Sequence, residues 1–225
     1  MKIIALPLPK QRVFLHCYPS EILLKKVTIH DRIINRIYNT WDAWSKSKSY
    51  IRQKTVSLGN SVLHRTSHEE SFLRSLSSAK KLNDKEFYSS TVIERPDSLE
   101  PNRIFQELIR LQEMKRLHRN NLIANIVGLP LTIPFILVPI VPNVPGFYLC
   151  YRAYCNYRAL IGASQITRLL DNKELQIQSN EKIELAYRSY LDGDHHKLNE
   201  AVGHQEFSDR YERAIEQELK SSKNQ

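Results

Sequence analysis

A stretch of 32 residues, from Asn120 to Tyr151, contains no Asp, Glu, Lys, Arg or His, although a quarter of the whole chain is charged. Five of the ten prolines fall in this stretch. Within it, Leu122 to Val141 supply 20 predominantly apolar positions. As a helix they would cover about 30 Å, which is the thickness of the hydrocarbon core of a bilayer. The pattern predicts a membrane-embedded segment, and the alternative is a buried hairpin inside a soluble domain.

Signs of catalysis, metal binding and redox chemistry are also scarce. Cys17, Cys150 and Cys155 form neither a C-x-x-C pair nor a spacing that binds a metal, so we interpret them as small apolar residues. No Gly-rich phosphate loop, Ser/His/Asp set, Cys/His set or carboxylate pair occurs at a usable spacing. We therefore expect no enzyme activity and no cofactor.

One group of potential metal ligands lies near the C-terminus and comprises Asp192, Asp194, His195 and His196. Adjacent histidines in a Gly-Asp loop need further ligands to complete a site, and no second cluster occurs at helical or finger spacing. The sequence favours a solvated turn, and no metal is expected.

The basic charge is concentrated before the apolar stretch. Residues 1–119 contain 22 Lys and Arg against 12 Asp and Glu, whereas residues 152–225 contain 11 against 12. The isoelectric point of 9.4 is compatible with nucleic-acid binding, but no basic-aromatic pattern accompanies the charge, so nucleic acid is not an expected partner. By the positive-inside rule, the N-terminal flank stays on the cytoplasm-equivalent side of a membrane.

The first 100 residues are predicted to form a basic region with a small β element. Two β-prone runs, Ile3 to Leu8 and Val13 to Cys17, flank a short Pro-containing turn, and Phe87 to Glu94 is a third candidate strand. Short strands need a helix to pack against, and residues 29–44 supply an amphipathic stripe that contains both tryptophans. The Ser-, Lys- and His-rich residues 59–85 are interpreted as a loosely ordered connection.

Two long helices are predicted around the apolar stretch. After Pro101, apolar residues recur at helical spacing and no helix breaker intervenes before Gly128. Two prolines and a glycine within residues 142–146 predict a turn, and the following helix carries tyrosines at every third position with arginines among them. This composition is typical of the membrane–water interface. The small residues Ala159 and Gly162 would allow close packing of a neighbouring helix.

The C-terminal part is predicted to form a helical tail, with helices from Glu181 to Asp192 and from Gln205 to about Lys220. The expected fold is therefore mainly α, with a membrane-embedded Pro-rich helix or helical hairpin, long amphipathic helices and a small N-terminal β element. Three regions follow from the pattern: residues 1–100, residues 101–170 with the membrane segment, and residues 171–225.

Residues 128–163, GLPLTIPFILVPIVPNVPGFYLCYRAYCNYRALIGA, resemble the signature of the mitochondrial K⁺-H⁺ exchange-related family in their paired Pro-rich and Tyr-Arg-Ala elements. MKIIALPL at the start, residues 29–44 and RLHRNNLI before the apolar stretch are similar to that family as well. The resemblance covers most of the chain up to about residue 170, and Gly146 departs from it. It implies an integral protein of the mitochondrial inner membrane, associated with K⁺/H⁺ antiport and matrix volume control. In that membrane the positive-inside rule would place the N-terminal region in the matrix.

A proton-coupled exchanger ordinarily needs an ionisable side chain within the membrane, usually a carboxylate, and Asn120 to Tyr151 contain no Asp or Glu. Backbone carbonyl groups freed by prolines could ligate K⁺, but one or two crossings enclose a path only in an oligomer or beside another protein. We therefore expect an accessory or regulatory component of exchange, with membrane lipid and either further copies of the chain or other inner-membrane proteins as partners. The alternative is a membrane-anchored scaffold that organises inner-membrane or matrix proteins.

A single crossing is favoured over a hairpin because a second arm would place Arg152 in the apolar region, at a cost of about 2.5 to 3.5 kcal/mol. Arg152 is expected to pair within the protein, and Arg158 to bind lipid phosphate. The predicted membrane segment and possible ion path comprise Pro130, Thr132, Pro134, Pro139, Pro142, Asn143 and Pro145. The predicted lipid or partner contacts are Tyr148, Tyr151, Arg152, Tyr154 and Arg158.

Overall fold

The strands of a four-stranded sheet come from three distant parts of the chain. The computed structural model describes residues 1–18, 66–132, 144–171 and 175–221. Strands β1 (Lys2–Pro7) and β2 (Val13–Tyr18) are antiparallel, whereas β3 (Val92–Arg95) runs parallel to β1 and β4 (Gln176–Ser179) runs parallel to β3. The strand order is β2-β1-β3-β4. The sheet thus joins the N-terminal region to the C-terminal tail.

Strand β1 is apolar because both of its faces are covered. Ile3 and Ala5 pack into one hydrophobic cluster, while Ile4 and Leu6 pack into another on the opposite face. Successive side chains of a strand point to opposite faces, so a strand between two helical layers becomes a continuous apolar run. The predicted N-terminal β element is confirmed.

Two parts of the sheet differ from the prediction. The third strand is shorter than expected because Phe87 belongs to a preceding helix, Asp84–Ser90. Strand β4 was not predicted at all. Its sequence, Gln-Ile-Gln-Ser, is polar and mostly exposed, as suits a short strand at the sheet edge.

Four described helices form the first layer: α1 (His68–Leu76), α2 (Asp84–Ser90), α3 (Pro101–Gly128) and α4 (Val144–Asp171). The prediction of a loose connection over residues 59–85 is wrong for its described part. Ser67 caps α1 by accepting a hydrogen bond from the backbone N–H of Glu70, and Asn83 forms a capping box with Glu86 at α2. These caps stabilise helices whose apolar content is low.

The second layer comprises α5 (Glu181–Leu191), α6 (His195–Val202) and α7 (Phe207–Ser221), which cover the face of the sheet that carries Ile4 and Leu6. The two tail helices predicted from the sequence are present. The predicted solvated turn is mostly exposed, but it is shorter than expected because His195 begins α6 and contacts Glu212 of α7 at 2.5 Å. The turn itself ends at Gly193, where a φ of 95° suits glycine.

Within the described part of the chain, no helix combines the length and the apolar character that a membrane crossing requires. Residues Leu122 to Gly128 of the predicted span form the end of α3, and a 3₁₀ turn follows at residues 129–132. Residues 133–143 lie outside the described residues, as does the amphipathic stripe over residues 29–44.

Candidate functional site between helices α3 and α4

Helices α3 and α4 form an antiparallel hairpin that flanks the proline-rich stretch. Three contacts establish the alignment. Gln112 donates a hydrogen bond to Thr167 at 3.0 Å, His118 contacts Asn156, and a Cβ on Gly128 would lie 3.2 Å from a methyl carbon of Leu149. The prediction of two long helices around the apolar stretch is confirmed.

Burial changes along this hairpin. In the first half of α3, Ile104, Leu108 and Leu111 are buried against the sheet and its helices. Toward the turn the apolar side chains become exposed, reaching 67% at Val127 and 77% at Leu131. A concentration of exposed apolar side chains marks an interaction surface. We call this surface the apolar end of the hairpin, and it comprises Leu117, Ile123, Ile126, Val127 and Leu131.

Helix α4 is held against α1 by an unusually close backbone approach. A Cβ placed on Gly162 would lie 1.9 Å from the carbonyl oxygen of Leu73. Only glycine fits at that distance, and Ala159 and Ala163 are fully buried beside it. The close helix packing expected at Ala159 and Gly162 is confirmed, with α1 as the neighbour.

A buried polar seam, made of Glu70, His118, Arg152 and Asn156, connects these three helices. Arg152 donates from Nη1 to both carboxylate oxygens of Glu70, at 3.0 and 3.2 Å. Asn156 donates from Nδ2 to the backbone oxygen of Arg152 at 2.9 Å. The pairing of Arg152 within the protein, expected from the sequence, therefore has Glu70 as its partner.

His118 completes the seam, and the hydrogen bonds define its tautomer. Because the Asn156 amide nitrogen donates elsewhere, its Oδ1 accepts from Nδ1–H of His118, at 3.0 Å. The ring is 4% exposed, and Nε2 has no hydrogen-bond partner among the described residues. His118 thus has a buried ring nitrogen that no described residue contacts by a hydrogen bond.

A small polar cleft of about 160 Å³ opens beside the seam, between α3 and α4. Asn121 and Asn125 line it from α3, and Tyr148, Arg152 and Asn156 line it from α4. Amide oxygens and a hydroxyl are ligands for a hard cation, but the guanidinium of Arg152 adds a positive charge to the same wall. The cleft is therefore poorly suited to K⁺ while Arg152 is in place.

Arg158 lies one and a half turns beyond Arg152 and contacts other parts of the protein. It donates to the hydroxyl of Ser77, to the hydroxyl of Tyr154 at 3.1 Å and to the backbone oxygen of Arg74 at 3.0 Å. Tyr151 lies beside Arg74, whose guanidinium carbon is 6.0 Å from the ring centroid. Tyr148 is 45% exposed near the turn. Lipid contact by these residues stays a prediction.

The predicted ion path is described only at its two ends. Pro130 is exposed in the 3₁₀ turn, and Thr132 is buried and donates from its hydroxyl to the backbone oxygen of Leu129 at 2.7 Å. Pro145 lies in the first turn of α4. Pro134, Pro139, Pro142 and Asn143 lie outside the described residues.

A second group of buried charges lies beside the turn between β1 and β2. Arg12 donates from Nε to Glu107 at 2.9 Å, and its other nitrogens contact Glu69 and lie 3.6 Å from Glu218. Burial alone would raise the pKa of Glu69, but Arg110 and Arg12 outweigh it and hold that pKa below its usual value. The group ties the β1–β2 turn to α1, α3 and α7.

His68, Glu69 and Glu218 are the described residues whose types and spacing come nearest to a metal site. Both carboxylates already face the guanidinium of Arg12. We therefore interpret this group as a structural ion network.

Sequence reasoning missed Glu70 and His118 for different reasons. Glu70 lies in a segment that was interpreted as a connection, 82 positions from its partner. His118 lies just before the uncharged stretch, so a search for titratable groups inside that stretch passed it by. The Ser67–Glu70 capping pattern and the apolar spacing of Phe72, Leu73 and Leu76 were the signals for α1.

Comparison with known proteins identifies two relatives and a family. The chain is 58% identical over 223 residues to an uncharacterized protein of Schizosaccharomyces pombe, covering 99% of each chain. It is 45% identical over 78 residues to an uncharacterized protein of Saccharomyces cerevisiae, covering 32% of this chain and 24% of the relative. No solved structure matches it. Residues 2–170, which include the sheet strands β1 to β3 and the α3–α4 hairpin, match a family described as mitochondrial K⁺-H⁺ exchange-related. The chain belongs to this family, which associates it with mitochondria.

Proposed function

We propose that this protein is an accessory or regulatory component of K⁺/H⁺ exchange at the mitochondrial inner membrane. The observation that carries the proposal is the apolar end of the α3–α4 hairpin, which leads directly into the proline-rich stretch. Burying such side chains in lipid is favourable by about 25 cal/mol for each Å² removed from water. The hairpin and residues 133–143 together would hold the protein in the membrane.

The charges of the seam support an accessory role over direct exchange. Arg152 and Glu70 neutralise one another, and the lining of the described cleft beside them contains no carboxylate. A cation carrier needs the opposite arrangement, with an unpaired carboxylate that alternates between a proton and the cation. The protein would therefore act on an exchanger made of other inner-membrane proteins or of further copies of this chain.

Direct exchange is the second candidate function, and His118 is the observation that favours it. Its Nε2 is buried and lacks a described partner, and its Nδ1 contacts Asn156, which lines the cleft. If the chain exchanges K⁺ for H⁺ by itself through this cleft, His118→Gln should abolish exchange by the purified chain.

Membrane attachment through the apolar end is tested by Val127→Glu. A charged side chain within the hydrocarbon region costs about 2.5 to 3.5 kcal/mol at its centre and less near the interface. We expect at least tenfold less protein to float with liposomes of inner-membrane lipid composition, since about 1.4 kcal/mol corresponds to a factor of ten.

Leu191→Glu on α5 is the matched control, because Leu191 is 65% exposed and Val127 is 67% exposed. The control should float like the wild type. Equal flotation of Val127→Glu and the wild type, or an equal loss in both variants, would contradict attachment through this end of the hairpin.

A further inference from the structure

A cavity of about 290 Å³ lies between α1 and α7, around the outer edge of β2. The cavity is lined by Phe14, which lies on one face of the sheet, and by Leu15, which lies on the other. Helices α1 and α7 form its walls. Strand β2 is an edge strand of the described sheet, so the cavity is formed where the two helical layers meet beyond the sheet.

The charged side chains of the lining are strongly biased toward positive charge. Three arginines, Arg74, Arg210 and Arg213, line the cavity together with one glutamate, Glu206, and the Arg74 guanidinium also lies beside Tyr151 of α4. Arg210 contacts Glu206 at 3.3 Å. Arg213 uses only Nε, which donates to the backbone oxygen of Asp209 at 3.1 Å, so its two terminal amino groups have no partner among the described residues.

Neutral polar groups fix the walls between these charges. Gln217 of α7 accepts a hydrogen bond from the backbone N–H of His68 at 3.0 Å and donates to the backbone oxygen of Thr66 at 3.1 Å. His16 also lines the cavity, and burial, Arg210 and His204 lower the pKa of its imidazole to about 4. The ring is uncharged at neutral pH, so the positive charge of the lining comes from the three arginines.

We propose that this cavity binds a small soluble anion with two or more negative charges, of the phosphate or polycarboxylate class. A guanidinium can donate two parallel hydrogen bonds to two oxygens of a carboxylate or of a phosphate. The lining has an excess of two positive charges, which a dianion would neutralise. The proposal concerns a site separate from the hairpin and does not depend on the exchange function.

Isothermal titration of the purified full-length chain with inorganic phosphate and with citrate tests the proposal, with KCl at matched ionic strength as the blank. Saturable binding of one or both anions at one site per chain is expected, and the two titrations distinguish phosphate from carboxylate. Arg213→Ala should weaken the binding about tenfold or more, which is the loss of one charge-assisted hydrogen bond. Glu206→Gln should tighten it, because the one carboxylate of the lining is removed.

Arg188→Ala is the matched control for Arg210→Ala, since each arginine makes an i, i+4 pair with a glutamate, but Arg188 lies on α5 outside the cavity. Arg210→Ala should weaken binding and Arg188→Ala should not. No saturable binding of either anion above the KCl blank would overturn the proposal. An equal effect of Arg188→Ala and Arg210→Ala, or weaker binding by Glu206→Gln, would overturn it as well.

Discussion

Replacing Gly162 by Ala is expected to destabilise the protein by about 3 kcal/mol or more, although the same change inside a helix ordinarily stabilises by about 1 kcal/mol. The added methyl group would lie 1.9 Å from the carbonyl oxygen and 2.6 Å from the carbonyl carbon of Leu73. Both atoms are backbone, so the clash is relieved only if α1 and α4 separate. The separation would also disturb Glu70 and Arg152, which join the same two helices.

Gly128→Ala provides the matched control because it places the same methyl group at the end of α3. There the nearest atom, at 3.2 Å, is a methyl carbon on the flexible side chain of Leu149. Guanidinium-induced unfolding of both variants and the wild type measures the difference. A Gly162→Ala variant as stable as the wild type would show that α1 and α4 do not approach as described.

Arg152→Ala is expected to cost about 3 kcal/mol, the lower part of the range for breaking a buried ion pair, because a quarter of the Arg152 side chain is exposed. The loss arises mainly from Glu70, which is 6% exposed and would keep only the more weakly interacting Arg74 as a cation. Arg158→Ala should cost about 1 kcal/mol, since it leaves only neutral hydrogen-bond acceptors behind.

A double-mutant cycle separates the interaction energy between Glu70 and Arg152 from the packing of their side chains. Glu70→Gln combined with Arg152→Ala should recover part of the stability that Arg152→Ala loses, because no buried charge is then left unpaired. Arg152→Ala and Arg158→Ala could instead lower the stability by equal, small amounts, without recovery in the double variant. That result would mean that Arg152 does not stabilise the buried charge of Glu70.

The sequence predicted the long elements well because their patterns are local. Apolar spacing after Pro101 and the prolines before Tyr148 were enough to predict α3 and α4. The N-terminal strands were equally clear, because β1 is buried on both faces and therefore continuously apolar.

The remaining elements depend on contacts between distant parts of the chain. Strand β4 has only Ile177 as an apolar residue, and it forms because β3 offers a parallel partner. Helix α1 has nine residues and is stabilised by its cap and by burial of Phe72, Leu73 and Leu76. The seam could not be predicted because Glu70 and Arg152 come from helices that the sequence does not show to be neighbours.

The central claim, that the protein supports K⁺/H⁺ exchange without performing it alone, is tested by one reconstitution. Inner-membrane proteins are extracted from cells whose own relative of this chain has been deleted, and they are reconstituted in K⁺-loaded liposomes with and without the purified chain. Liposomes that contain the purified chain alone are measured beside them. Dissipation of an imposed pH gradient under electroneutral conditions is the readout. The account predicts exchange only when the extract and the chain are both present. Full exchange by the chain alone would contradict the accessory role, and full exchange by the extract alone would contradict any role in exchange.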